Sequence, residues 1–147
     1  MTNERPLVVH SVAAMRKEVD GWRRAGDVVG VVPTMGALHD GHLALVQAAK
    51  SECDRVIVTI FVNPTQFAAN EDLDAYPRGE VEDLAKLREL ETDLAFMPDV
   101  GEMYPDGFVT KVGVKGITEI LCGLGRPVHF GGVATVVSKL FNQSQAD

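Results

Sequence analysis

The fold is decided by residues 28–63, which read VVGVVPTMGALHDGHLALVQAAKSECDRVIVTIFVN. Two runs in this stretch, VVGVVP and RVIVTIFVN, are rich in β-branched residues and are typical of parallel strands buried on both faces. The segment between them, LALVQAAKSEC, has the Ala and Leu content of a helix. Strand, helix and strand in this order predict a βαβ unit, in which the strands are parallel and the crossover is right-handed.

The flanking segments continue the alternation of strands and helices. SVAAMRKEVDGWRRAG predicts an amphipathic helix that is capped by Ser11 and ends at Gly26. EVEDLAKLRELET predicts a helix with an apolar face made of Val81, Leu84, Leu87 and Leu90, and DLAFMP predicts a strand. Further on, FVTKVGV (108–114) predicts a strand, ITEILCG (117–123) a short helix, and GVATVVSKLFNQ (132–143) a helix in preference to a buried strand. The alternation predicts an α/β fold with a doubly wound parallel sheet.

Composition narrows the class of protein. The 147 residues include 21 Asp and Glu against 14 Lys and Arg, for a net charge of -7, and 46% are hydrophobic. One globular domain is expected, with a small-molecule ligand and no nucleic-acid partner. No apolar run approaches the roughly 18 residues that cross a membrane, and no signal peptide is recognisable, so we expect a cytoplasmic protein. Cys53 and Cys122 form no C-x-x-C pattern and are expected to be reduced.

His39 and His42 stand out because they flank Gly41 where a loop after a strand opens a helix. In doubly wound sheets, ligands bind at the carboxyl ends of the strands. A helix N-terminus favours an anion there, and imidazole groups add hydrogen-bond donors for phosphate oxygens. The pattern therefore indicates a nucleotide and in-line displacement at its phosphates. Two other interpretations remain open at this point: a surface loop with unrelated histidines, or a cation shared by the two imidazoles.

Three longer segments then show a family resemblance. VPTMGALHDGH (32–42), FVNPTQF (61–67) with DLDAYPR (72–78), and RPVHFGGVATVVSKL (126–140) resemble, in this order, the signatures of the pantothenate synthetase (pantoate-beta-alanine ligase) family. This family belongs to the H-x-G-H nucleotidyltransferase superfamily. The resemblance implies a Rossmann-like fold and the ATP-dependent condensation of pantoate with β-alanine through pantoyl adenylate. It also implies Mg²⁺ bound with ATP, and a homodimer.

The resemblance implies roles for individual residues as well. His42 and His39 would be the catalytic residues closest to the phosphates. The ATP-binding residues would be Pro33, Thr34, Met35, Gly36, Ala37, Leu38, His39, Asp40, Gly41 and His42. Gln66 would hold pantoate, in a pocket shaped by Phe61, Asn63, Tyr76, Val133 and Val136.

Structural interpretations stand beside these roles. Phe61 and Phe67 are also typical core residues, and Asn63 and Gln66 are also typical of a turn next to a proline. Arg126 and His129 would either bind phosphate or fix a loop. The carboxylates considered as magnesium ligands are Asp72, Asp74, Glu82 and Asp83. Helix capping or solvation explains all four, so no protein ligand is assigned to a metal.

The extent of the resemblance also matters for activity. It runs from about Val28 to Asp147 and stops where the family continues into a G-E-K-D segment and a C-terminal lid domain. Residues 1–147 are therefore expected to form the N-terminal ATP- and pantoate-binding domain. This domain is expected to be weakly active or inactive alone, because losing one charge-stabilising group lowers the rate on the order of 10²–10³-fold. The alternatives are a nucleotide- or pantoate-binding module without catalysis, and another H-x-G-H nucleotidyltransferase, such as one acting on pantetheine phosphate. The FVNPTQF segment argues against the latter.

Overall fold

A four-stranded parallel sheet lies at the centre of the computed structural model, which describes residues 5–116, 125–126 and 128–147. Its strands are β1 (Leu7–Val9), β2 (Val29–Thr34), β3 (Arg55–Ile60) and β4 (Leu94–Phe96), in the spatial order β1-β4-β3-β2. The helices are α1 (Val12–Ala25), α2 (Asp40–Glu52), α3 (Glu80–Glu89), α4 (Val100–Met103) and α5 (His129–Ser144), and a 3₁₀ turn spans Pro64–Gln66. The α/β fold and the parallel sheet are confirmed, although β1 was not predicted.

The central strand β3 is buried on both of its faces. Val56 and Val58 point into a core that also contains Val46 from α2 and Leu87 from α3. Their neighbour Ile57 belongs to the opposite core, which contains Met15 and Val19 from α1 and Val136 and Leu140 from α5. Each fully buried Val or Ile side chain contributes about 1.5–3 kcal/mol relative to an exposed one. The continuous β-branched run in the sequence thus reflects helices on both sides of the sheet, as in a doubly wound fold.

Helix α1 begins and ends as its sequence predicts. The hydroxyl of Ser11 accepts a hydrogen bond from the N–H of Ala14 at 3.1 Å, and Gly26 closes the helix with a φ of 88°. The side chain of Ser11 therefore satisfies an N–H group that has no partner within the helix.

Ser11→Ala is expected to lower the free energy of unfolding by about 1 kcal/mol, because the substitution removes this cap. Urea unfolding measures the change. The control is Ser51→Ala, which removes a hydroxyl bonded to the carbonyl of Ala48 in the exposed part of α2 and should cost less than about 0.5 kcal/mol. Equal losses in the two variants would contradict the capping role.

The strand predicted at residues 108–114 is wrong. No strand includes these residues; instead, the N–H of Val112 donates to the hydroxyl of Thr135 in α5 at 3.0 Å. Val109 is 85% exposed, so the alternating apolar residues of this segment do not cover the sheet. The helix predicted at 117–123 lies outside the described residues, whereas the helix predicted at 132–143 is confirmed as part of α5.

Helix α3 buries three of the four residues predicted for its apolar face and exposes the fourth. Leu87 is fully buried and Leu84 and Leu90 pack against the core, but Val81 is 79% exposed. The carboxylate of Asp83 is buried one turn before Leu87. This charged side chain faces inward because a loop at the end of β2 offers it hydrogen-bond donors.

Candidate active site

The loop between β2 and α2 turns sharply at the carboxyl edge of the sheet. The hydroxyl of Thr34 donates to the carbonyl of Thr59 at 2.7 Å and accepts from the N–H of Gly36 at 3.1 Å. Gly36 and Ala37 follow with φ values of 78° and 51°, so two consecutive residues adopt the left-handed conformation. Glycine adopts this conformation freely, whereas alanine does so at a cost of roughly 1–2 kcal/mol.

Asp83 in α3 binds the backbone of this loop through hydrogen bonds. It is only 2% exposed, and its two carboxylate oxygens accept hydrogen bonds from the N–H groups of Ala37 at 2.9 Å and Leu38 at 2.8 Å. Lys86, one turn later in α3, donates to the carbonyl of Leu38. The charge of a buried carboxylate is tolerated where it accepts such bonds. Sequence reasoning missed this contact, and the available signal was an acidic residue beside the apolar positions of α3.

His39 and His42 form the N-terminal cap of α2. The Nδ1 atom of His39 accepts from the N–H of Gly41 at 3.1 Å, and the Nδ1 atom of His42 accepts from the N–H of His39 at 3.3 Å. The two ring centroids are 4.0 Å apart. Because Nδ1 accepts in both rings, each neutral imidazole carries its proton on Nε2 and keeps that group as a donor. The imidazoles thus occupy backbone N–H groups that the sequence suggested would be free for a phosphate.

The protonation of His42 follows from its surroundings. Burial lowers the pKa of His42 below 6.5, the nearby imidazole of His39 lowers it further, and the negative charge of Asp83 raises it. The net shift is downward, which favours the neutral form of His42. Within residues 5–116, 125–126 and 128–147, no three His, Cys, Asp or Glu side chains come together as a metal site, so the shared-cation interpretation gains no support.

A cavity of about 240 Å³ opens between this loop, the 3₁₀ turn and α5. It is lined by Pro33, Thr34, Met35, His42, Phe61, Asn63, Gln66, Tyr76, Val133, Val136, Val137 and Leu140. We call it the β2–α5 pocket. Every residue predicted to contact pantoate lies around it. Pockets for drug-sized ligands typically measure about 300–1,000 Å³, so this cavity suits a smaller molecule.

The residues predicted to bind ATP are placed less uniformly. Four of them line the β2–α5 pocket: Pro33, Thr34, Met35 and His42. Gly36 lines a neighbouring cavity of about 260 Å³, which Asp83 also lines. His39, Asp40 and Gly41 are exposed at the start of α2. Leu38 differs from the prediction, because its side chain is buried in the core beside α2.

Asn63 forms the polar floor of the β2–α5 pocket. Its side-chain NH₂ group donates to Gln66 Oε1 at 3.0 Å and to the carbonyl of Gly132 at 3.1 Å. Its Oδ1 accepts from the N–H and the hydroxyl of Thr65 and, at 2.8 Å, from the hydroxyl of Tyr104. Because a backbone carbonyl can only accept and a backbone N–H can only donate, the orientation of this amide is settled. The bond to its Oε1 then leaves the NH₂ group of Gln66 as the donor for a ligand.

Helix α5 lies directly against the 3₁₀ turn. A Cβ atom at Gly132 would stand 2.5 Å from the carbonyl oxygen of Thr65 and 2.6 Å from the backbone N and Cα of Gln66. His129 Nδ1 lies 3.2 Å from the carbonyl oxygen of Gln66. Only glycine permits this approach, which brings Val133 and Val136 into the wall of the pocket.

Arg126 and His129 contact a loop in this structure, rather than standing free for a phosphate. Arg126 pairs with Glu71, and its guanidinium lies 5.9 Å from the ring centroid of Phe67. The N–H of Ala68 and then the Arg126 guanidinium lower the pKa of Glu71. Phe67 in turn meets Tyr76 edge-on, with 6.0 Å between ring centroids. These contacts fix residues 67–76 beside the pocket.

The parallel sheet, with an H-x-G-H loop at the start of the helix that follows β2, defines an α/β domain of the nucleotidyltransferase type. The pantoate-beta-alanine ligase family model matches residues 7–147. The chain belongs to this family, which confirms the resemblance found in the sequence.

Individual relatives agree with the family assignment. The chain is 58% identical over 140 residues to pantothenate synthetase of Roseobacter denitrificans, covering 95% of this chain and 49% of the relative. It is 58% identical over 142 residues to the Caulobacter vibrioides enzyme of that name, covering 97% and 50%. The chain spans about half the length of the curated relatives it matches.

Solved structures give the same result. Pantothenate synthetase from Thermus thermophilus superposes with a TM-score of 0.88 at 48% identity, covering 95% of this chain and 49% of that one. Pantoate-beta-alanine ligase from Francisella tularensis, complexed with beta-gamma ATP and beta-alanine, superposes with a TM-score of 0.90 at 39% identity, covering 96% and 54%. Among the described residues, no helix is long and apolar enough to span a membrane.

Proposed function

We propose that residues 1–147 form the ATP- and pantoate-binding domain of a pantoate-beta-alanine ligase. The observation that carries this proposal is the β2–α5 pocket, which joins an apolar wall to the amide of Gln66 next to His42. Pantoate is a small branched hydroxy acid and requires such a combination. The match to the pantoate-beta-alanine ligase family disfavours the alternative considered for an H-x-G-H protein, a transferase acting on pantetheine phosphate.

The pocket orients pantoate for attack. Phe61, Val133 and Val136 pack around the two methyl groups, and the NH₂ group of Gln66 donates to a hydroxyl or carboxylate oxygen. A pantoate carboxylate oxygen then bonds to the α-phosphorus of ATP while the bond from that phosphorus to pyrophosphate breaks. In the second step the amine of β-alanine attacks the acyl carbon, AMP leaves, and the amine loses a proton to solvent. Holding the reactants in place supplies much of the rate enhancement of such steps.

His39 and His42 stabilise the phosphates in this proposal. Each ring is held through its Nδ1 atom, so each Nε2–H is a pre-oriented donor at the start of α2. Donors that are fixed before the reaction stabilise charge developing on the phosphate oxygens without reorganising. The positive end of the helix dipole adds to the same effect.

Magnesium is proposed only as the ion that accompanies ATP, because the described carboxylates do not fit a protein-held site. Both oxygens of Asp83 already accept backbone N–H groups, and Asp72 accepts from the N–H of Ala75. Glu82 and Asp74 are exposed and are not grouped with other ligands. No catalytic step here is assigned to the ion.

We further propose that the protein acts in the cytoplasm as a homodimer. Groups of the active site that residues 1–147 do not provide would come from a region equivalent to the other half of the relatives.

Calorimetric titration of the 147-residue chain tests the function directly. Pantoate is expected to bind, 4′-phosphopantetheine is not, and pyrophosphate release from ATP is expected to be slow. Binding of ATP and pantoate without any pyrophosphate release would favour a binding module, and failure of pantoate to bind would refute the proposed function.

His42→Ala is expected to slow pantoate-dependent release of pyrophosphate by about 10²-fold or more, because it removes a fixed donor to the phosphates. The measurement is a single-turnover assay with the 147-residue chain in excess over ATP. The melting temperature should change by only a few degrees, because His42 lies outside both hydrophobic cores. Gln47→Ala, on the exposed side of the same helix, is the control and should leave the rate unchanged. A rate loss no larger than that of the control would contradict the role.

A further inference from the structure

The contact between α3 and the H-x-G-H loop is more elaborate than packing requires. Asp83 and Leu38 are almost completely buried. One carboxylate oxygen of Asp83 accepts a hydrogen bond from the N–H of Ala37, and the other accepts from the N–H of Leu38. Lys86 binds the carbonyl of Leu38 from the same helix. An apolar residue at position 83 would fill the space but would leave both buried N–H groups without these partners, which destabilises the loop.

The geometry of the loop explains why these bonds are needed. Ala37 has a φ of 51°, in the left-handed region that alanine avoids, and Gly36 before it has a φ of 78°. A Cβ atom at Gly36 would also lie 3.1 Å from Asp83 Oδ2. Two residues beyond Ala37, His39 begins the cap of α2. The conformation at Ala37 therefore sets where both imidazoles stand.

We propose that Asp83 is a positioning residue, which holds the Gly36–Ala37 turn in its left-handed conformation and thereby places His39 and His42 to meet the phosphates of ATP. The inference rests on the proposed function, because it assumes that these imidazoles contact a nucleotide. It assigns Asp83 to the loop and not to a magnesium ion, since both of its oxygens are occupied. The negative charge of Asp83 also acts on His42, whose pKa it raises.

Asp83→Asn tests the inference. The asparagine has the same shape but offers one acceptor oxygen, and its NH₂ group would face the other backbone N–H. ATP binding, measured by calorimetry, should weaken by about ten-fold or more, while pantoate binding should weaken by less than about three-fold. The matched control is Glu82→Gln, which neutralises the adjacent, exposed carboxylate and should change neither affinity.

Two further measurements separate positioning from simple destabilisation. In an NMR titration, the pKa of His42 should fall in Asp83→Asn and stay unchanged in Glu82→Gln, because only the former removes the nearby negative charge. Ala37→Gly, added to Asp83→Asn, should restore part of the ATP affinity, because glycine adopts the left-handed conformation without the carboxylate. The pKa of His42 reports whether the charge of Asp83 acts on the folded site, and an ATP affinity that Ala37→Gly leaves unrestored would count against the positioning role.

The outcomes are distinct. If the unaltered chain fails to bind ATP, the proposed function fails. If the unaltered chain binds ATP and Asp83→Asn binds it equally well, only the positioning role is refuted. If Asp83→Asn does not fold, the same comparison is made with Lys86→Met, which removes the bond to the carbonyl of Leu38. ATP affinity equal to that of the unaltered chain in that variant would also refute the role.

Discussion

Gly132→Ala is expected to abolish pantoate binding and to lower the free energy of unfolding by about 3 kcal/mol or more. The added Cβ would stand 2.5 Å from the carbonyl oxygen of Thr65 and 2.6 Å from the backbone of Gln66. These neighbours are backbone atoms, so no side-chain rotation relieves the overlap. Helix α5 and the 3₁₀ turn must separate, which moves Val133 away from Gln66 and opens the bond from Asn63 to the carbonyl of Gly132. Urea unfolding and calorimetry with pantoate measure the two effects.

Gly131→Ala provides a closely matched control. A Cβ at Gly131 would meet no atom within 4 Å, although the residue is the immediate neighbour of Gly132 in α5. Alanine favours helix over glycine by up to about 1 kcal/mol, so this variant should be as stable as the unaltered chain or slightly more stable. Pantoate affinity should be unchanged. Similar behaviour of the two variants would contradict the close packing of α5 on the turn.

The part of the pocket that comes from the sheet could be predicted from the sequence by one rule of α/β folds. Residues that directly follow parallel strands converge at one edge of the sheet. Pro33 at the end of β2 and Asn63 after β3 meet for this reason, and both line the β2–α5 pocket. Val133 and Val136 come from a distant helix, and only the family resemblance linked them to the site.

The contacts that organise the site were harder to predict. Asp83 was weighed as a capping, solvated or metal-binding residue, because its spacing in α3 does not show that a loop 45 residues away offers two N–H groups to it. No local pattern links Tyr104 to the site either, yet its hydroxyl binds Asn63, 41 residues away. Such pairs depend on the packing of separate elements, whereas sequence patterns report mainly on local structure. The strand predicted at 108–114 failed for a related reason, because its backbone bonds to the side chain of Thr135 in α5.

Asn63→Asp is the second substitution with a large expected effect. The two groups that Asn63 donates to, the carbonyl of Gly132 and Gln66 Oε1, are both acceptors. A carboxylate would place an oxygen against them in a fully buried position. Burying an acceptor without a donor costs about 1–3 kcal/mol, and more when it is charged. We expect a loss of about 3 kcal/mol in the free energy of unfolding at pH 7, together with loss of pantoate binding, because Gln66 is no longer held.

The loss should depend on pH in a defined direction. Only the protonated acid at position 63 can donate to Gly132 or Gln66, so the native state raises the pKa of this carboxyl above the unfolded value of about 3.9. An acid whose pKa is raised in the native state lowers the free energy of unfolding least below its unfolded pKa. The free energy of unfolding then falls as the pH rises towards the native pKa. The deficit relative to the unaltered chain should therefore grow between about pH 4 and pH 7, by about 1.4 kcal/mol for each unit of pKa shift.

Asn142→Asp supplies the comparison for this pH dependence. Its side-chain NH₂ group also donates to a backbone carbonyl, that of Ser138 at 2.7 Å, but it is exposed on α5. Water can solvate a carboxylate there, so the deficit should be below about 1 kcal/mol and nearly independent of pH. A flat pH profile for Asn63→Asp would mean that the oxygen replacing the NH₂ group meets a donor, where the carbonyl of Gly132 and Gln66 Oε1 now accept. In that case Asn63 would not fix the orientation of Gln66, and the NH₂ group assigned to pantoate would lose its structural basis.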